Sequence, residues 1–94
     1  LVQSQHYLLM LVFFIEDSAM NPAQCRAARA MLEWTQPELA KEAGVSASTI
    51  RDFEASRRIP IANNLAAIER ALVDAGVLFI DPNGNGPGVR LRDR

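Results

Sequence analysis

Apolar side chains recur along this chain in distinct rhythms, and each change of rhythm marks an element. From Asn21 onward Cys25, Ala28 and Leu32 fall at helical spacing, with Met31 beside them. The spacing predicts a first helix whose inner face carries these residues. Leu39, Ala40 and Ala43 share one face of a second helix over Thr35 to Ala43, and Ile50 and Phe53 mark the inner side of a third from Ser46 to about Ala55. Ile61, Leu65, Ile68 and Leu72 recur at four, three and four residues, which predicts a fourth helix from Ile61 to Ala75. Beyond Gly76 the rhythm changes. Val77-Leu78-Phe79-Ile80 is a short apolar run, and Val89-Arg90-Leu91-Arg92 alternates with period two, the pattern of a strand with one wet face. Asp81 to Gly88 between them is rich in turn residues, so the end of the chain predicts a β-hairpin with a loop longer than usual.

Ahead of Met20 the pattern differs again. Tyr7 to Ile15 is an unbroken apolar run rich in β-branched and aromatic residues, which suits a buried strand. It is too short to span a bilayer as a helix, which takes about 20 residues. Gln3, Gln5 and His6 stand where a signal peptide would carry Lys or Arg. A second reading stays open beside the strand. Met20-Asn21-Pro22 has the form of a natural beginning for a small helical domain, with the leader as extra sequence.

The punctuation between the helices is specific. Asn21-Pro22-Ala23-Gln24 supplies an N-cap, a proline at the first helical position and a glutamine at the third. Thr35 followed three residues later by Glu38 is a capping-box signature, with Pro37 in the first turn, where its missing N–H costs nothing. Gly44 stands where a helix ends on a left-handed residue, Val45 plugs the angle, and Ser46 caps the next helix. Two helices joined by a short Gly-containing turn make a helix-turn-helix, whose second helix can enter a DNA major groove.

The residues Thr35-Gln36, Glu38-Leu39-Ala40, Ala43-Gly44-Val45-Ser46, Thr49-Ile50 and Phe53-Glu54, followed by Arg57-Arg58 before Pro60, resemble the helix-turn-helix of the phage-repressor and Cro-like (XRE-type) DNA-binding family. The resemblance covers roughly Asn21 to Ala75. It implies a mainly α fold, a compact lambda-repressor-like domain of five helices or slightly fewer that usually acts as a dimer. Here a small C-terminal β-hairpin is added. The chain then divides into a leader (1–19), a helix-turn-helix DNA-binding domain (20–76) and a hairpin (77–94) that serves as a dimerisation element.

Composition narrows the chemistry. The chain has 94 residues, 49% of them hydrophobic, enough for one small domain with a single core. Ten Lys and Arg stand against eleven Asp and Glu, a balance that argues against avid nonspecific nucleic-acid binding but leaves room for a local basic patch at Arg57 and Arg58. The one cysteine, Cys25, rules out an internal disulfide and reads as a small core residue. His6 is the one histidine and lies far from it in the chain, so neither a metal-ligand set nor a nucleophile pair is present, and an enzyme or a cofactor site is not expected.

If Ile50 and Phe53 point inward, Ala47, Ser48, Arg51 and Asp52 point outward, with Thr49 at the margin. The resemblance implies base contacts at Ala47, Ser48 and Asp52. Serine can bond several bases, alanine can meet a thymine methyl, and aspartate can accept from a cytosine amino group. Arg51 is the strongest donor, able to hold guanine or a phosphate. For phosphates the candidates are Gln36 at the start of the second helix, Thr49, the adjacent Arg57 and Arg58, and Asn63 near the start of the fourth helix. Arg90, Arg92 and Arg94 read as a solvated hairpin edge. The resemblance also implies an ion pair between Arg29 and Glu54, with Gly44 as the structural turn.

The leading reading is a cytoplasmic, repressor-like transcription regulator that binds double-stranded DNA as a homodimer, with no membrane association. The alternatives are an antitoxin-type autorepressor that also binds a toxin, and a protein-interaction module that keeps the fold without reading DNA.

Overall fold

A computed structural model describes residues 20–82 and 84–92. The strand expected at Tyr7–Ile15, and with it Arg94, lies outside these residues. The described elements are helices α1 (Pro22–Leu32), α2 (Gln36–Ala43), α3 (Ala47–Glu54) and α4 (Ala62–Asp74), then strands β1 (Val77–Ile80) and β2 (Gly88–Leu91). The fold is mainly α with a small hairpin, with four helices among the described residues.

Local chemistry sets the helix ends. Asn21 caps α1 through a reciprocal box: Gln24 N donates to Asn21 Oδ1 at 2.7 Å, and Asn21 N donates to Gln24 Oε1 at 2.8 Å. Thr35 and Glu38 form the same box on α2, with bonds of 3.2 and 3.1 Å. Each such cap is worth about 1 kcal/mol, because it satisfies N–H groups that have no partner inside the helix. Gly44 ends α2 in the left-handed region at φ 73°. There Gly44 N and Val45 N both donate to the Ala40 carbonyl, at 2.9 and 3.0 Å. Ser46 caps α3 by accepting from Thr49 N at 3.1 Å. After α3 the chain folds back at Ser56 (φ 60°), and the N–H groups of Arg57 and Arg58 donate to the Asp52 carbonyl at 2.8 and 3.3 Å.

One core serves all six elements. Met20, Cys25, Ala28, Leu39, Ala40, Ile50, Phe53, Ile68, Leu72 and Val77 are buried together, with Leu32, Trp34, Val45, Leu65, Phe79 and Val89 packed around them. Helices α2 and α3 pack on each other, α4 packs against α2, and α1 packs against α3. The hairpin is antiparallel, Val77 facing Leu91 and Ile80 facing Gly88, and Arg92 N extends the ladder to the Gly76 carbonyl at 2.7 Å. It is anchored to α1, where Gln24 Nε2 donates to the Gly88 carbonyl at 3.0 Å. Strand β2 begins one residue earlier than the alternation indicated.

Two positions depart from the sequence reading. Met31, expected beside the core, is 38% exposed, because at about 3.6 residues per turn it lies to one side of the face that Cys25, Ala28 and Leu32 share. Ile61, expected to open the apolar face of α4, is 69% exposed. It is the N-cap, with an extended backbone, and so falls off the helical face that Leu65, Ile68 and Leu72 share. Among the described residues no helix is long and apolar enough to cross a membrane.

Candidate nucleic-acid interface

Helix α3 has a buried side made of Ile50, Phe53 and Glu54. Opposite them Ser48 and Arg51 stand exposed, Asp52 and Thr49 are half-buried at the flanks, and Ala47 leans back against the core. Of the four outward positions read from the sequence, two therefore stand fully clear, one is a flank, and Ala47 presents only part of its surface. The hydroxyls at the start of α3 form a cluster. Ser46 Oγ lies 3.0 Å from Ser48 Oγ and 2.7 Å from Thr49 Oγ1. A hydroxyl has one donor and two acceptor positions, so Ser48 keeps capacity for a further partner.

Glu54 fixes the angle of this helix. Its carboxylate is 3% exposed and accepts from Arg29 twice, Nε to Oε2 and the terminal NH2 to Oε1, each at 2.8 Å. Gln36 Nε2 donates to Oε1 at 3.0 Å and the Cys25 thiol to Oε2 at 3.3 Å. Arg29 also reaches the Trp34 carbonyl at 2.9 Å, which ties the α1–α2 corner into the same network. Burial alone would raise the Glu54 carboxyl, but the bonds from Arg29, Gln36 and Cys25 and the Arg29 charge hold it below the ordinary range. Burial, reinforced by the Glu54 charge, pushes the Cys25 thiol up, so it stays protonated and serves as a donor. Both arginines involved lie on α1: Arg26 donates to the Glu54 backbone carbonyl, closing the end of α3.

The expected phosphate contacts fall into two groups. Arg57 and Arg58 are exposed just past α3, Arg57 with 70% of its side chain in water and 3.9 Å from Asp52. A pair that long and that exposed is weak and leaves the guanidinium free to exchange partners. Gln36 differs: its amide is already on Glu54, so its backbone N–H at the head of α2 and its second amide hydrogen are what remain. Asn63 is exposed in the first turn of α4. Between α3 and the start of α4 runs a cleft of about 240 Å³, lined on the α3 side by Ser48, Thr49 and Asp52 and otherwise by Arg58 and Asn64 among others. On the far side of the Arg57–Ile59 loop an apolar groove of about 750 Å³ is lined by Met20, Pro22, Phe53 and Leu65.

Sequence reasoning missed four of these long-range contacts. Arg26 on the end of α3, Gln24 on the hairpin, and Gln36 and Cys25 on Glu54 all join residues distant in the chain. The one local hint is Arg26 and Arg29 three apart, on one side of α1. Among the described residues no group of His, Cys, Asp and Glu could hold a metal ion.

A family profile described as helix-turn-helix matches residues 26–72, half of the chain. The match runs from Arg26 in α1 to Leu72 in α4 and so takes in Arg26, Arg29, Gln36 and Glu54, stopping one residue short of Cys25. No curated protein matches the chain.

Proposed function

The chain belongs to the XRE-type helix-turn-helix family of DNA-binding regulatory domains, and from that premise we propose that it is a repressor-like transcriptional regulator that reads DNA sequence as a homodimer in the cytoplasm. The observation that carries this reading is the clamp on α3. Arg26, Arg29, Gln36 and Cys25 all bond to Glu54, so the short helix is held at a fixed angle while Ser48 and Arg51 face outward.

In this reading α3 lies in a major groove. Ser48, Arg51 and Asp52 meet base edges, and Ala47 touches at the margin. Arg57, Arg58, Thr49, Asn63 and the Gln36 head of α2 meet phosphates on either side. The domain is 20–76, and the hairpin pairs two copies. Support for that pairing comes from the two-stranded sheet itself, whose outer strand edges have no partner strand among the described residues. Two copies would then address half-sites about one helical turn apart.

Gel retardation with random genomic fragments at two salt concentrations tests the reading. It predicts retention at low salt and a fall in log affinity of about 0.9 per log salt for each phosphate neutralised. Absence of retardation at low salt would leave a protein-interaction module in its place.

A further inference from the structure

The chain enters the described fold at Met20, which is 4% exposed and lines the largely apolar groove of about 750 Å³ beside the Arg57–Ile59 loop. Pro22, Phe53 and Leu65 line the groove with it, and Ile59 borders it with 81% of its surface in water. Arg57 and Arg58 border the same groove. Arg57 holds only the 3.9 Å pair with Asp52, which leaves it free to take a closer carboxylate. An apolar floor with a basic edge fits an occupant that is apolar at one end and acidic at the other. The residues just ahead of Met20 have that order: Leu11-Val12-Phe13-Phe14-Ile15, then Glu16-Asp17. Asp17 stands three residues from Met20 and Ile15 five, reaches of at most about 11 and about 18 Å for an extended chain. Both the acidic pair and the end of the apolar run therefore stay close to the groove.

We propose that residues 11–15 dock in this groove and that Glu16 and Asp17 pair with Arg57 and Arg58, so that the chain covers two of its own cations. The docking is independent of what the domain binds, whereas its effect on DNA rests on the reading proposed above. A DNA phosphate then has to displace the acidic pair before it can take Arg57 or Arg58. Burial of large apolar side chains beside Ile59 supplies the stability that an exposed ion pair lacks. The leader of a second copy has the same chemistry but lacks the short tether through Met20, which holds this leader at an effective concentration of about millimolar.

The test uses the full chain with the photoreactive residue p-benzoylphenylalanine in place of Phe14. Isotopically labelled and unlabelled copies are mixed, irradiated and mapped by mass spectrometry. Attachment within one copy to Phe53, Ile59 or Leu65 is expected. Attachment to the hairpin or to α2, attachment between copies, or none at all overturns the proposal. Two further full-chain variants pair Phe13→Ser with Phe14→Ser, and Glu16→Gln with Asp17→Asn. Neither changes a residue of the buried core, so the helical circular dichroism should match the parent. Each should raise affinity for a duplex selected from a random pool, by about tenfold if the leader is docked in about nine chains of ten. The serine variant alters no charge, so a rise there comes from undocking and not from weaker repulsion of DNA. An affinity unchanged in the serine variant overturns the covering of Arg57 and Arg58. If neither the parent nor a variant retains DNA at low salt while the attachment within one copy is found, the DNA-binding reading fails and the docking stands.

Discussion

Arg29 and Glu54 meet through two parallel hydrogen bonds of 2.8 Å, joining the last turn of α1 to the last residue of α3. This fork is bidentate and nearly enclosed, so it fixes direction as well as distance. Everything on the outer face of α3 inherits its placement from that fork and from the capped turn at Gly44.

Removing one partner should therefore cost far more than a surface ion pair. Glu54→Ala leaves Arg29 with the Trp34 carbonyl but without its carboxylate, and strands the Cys25 and Gln36 donors. A loss of about 3 kcal/mol is expected, the lower end for a buried pair because Arg29 keeps 21% of its side chain in water. Urea unfolding measures it. A loss below about 1 kcal/mol, the surface-pair range, would contradict the clamp.

The same carboxylate sets a pH dependence. In the folded chain Glu54 holds its proton less tightly than in the unfolded chain, since its bonds to Arg29, Gln36 and Cys25 outweigh burial. Its stabilisation is complete above the ordinary carboxylate range and is lost as pH falls through the depressed value. Glu38, bonded by the backbone and hydroxyl of Thr35, has the same sign. Urea midpoints should drop on acidification, and Glu54→Gln should show a shallower drop.

Glu69 has the opposite sign. Burial first, and then the charge of Asp81, raise its carboxyl above the ordinary value. The folded state thus binds this proton more tightly than the unfolded state, and stability is lost as pH rises through the raised value. Glu69→Gln should raise the melting temperature at neutral pH and have little effect in acid. A lower melting temperature at neutral pH would show that the ionised carboxylate helps the fold.

Gly44 isolates a backbone effect. At φ 73° it adopts a conformation that L residues avoid, yet an added Cβ would meet nothing within 4 Å. Gly44→Ala should cost about 1–2 kcal/mol from backbone conformation alone, and Gly44→Asn less, because Asn tolerates this region. Equal stability of all three forms, measured by thermal unfolding, would contradict the left-handed turn.

The parts of this fold visible in the sequence are those written within a few residues. Asn21 with Gln24, Thr35 with Glu38, and Gly44 before Ser46 each encode a helix end locally, and the spacing of Leu65, Ile68 and Leu72 encodes a face. Arg29–Glu54 joins residues 25 apart and was legible only through the family resemblance. The Gln24–Gly88 bond spans 64 residues and left no pattern at all. Met31 and Ile61 depart for different reasons: Met31 lies beside the face that Leu32 continues, and Ile61 is an N-cap where the helical face has not yet begun. At the candidate interface, residue type and outward direction were readable for Ser48 and Arg51. That Gln36 is occupied by Glu54 was not, since occupancy depends on a third element.

The division of labour across α3 is the central claim, and affinity for the selected duplex against random duplex measures it. Ser48→Ala should lower the ratio of the two affinities or change the preferred base, because a base contact acts only on the right sequence. Arg57→Ala should weaken both affinities alike and flatten the salt slope by about one phosphate equivalent. Equal effects of the two substitutions on selected and random DNA would contradict the account.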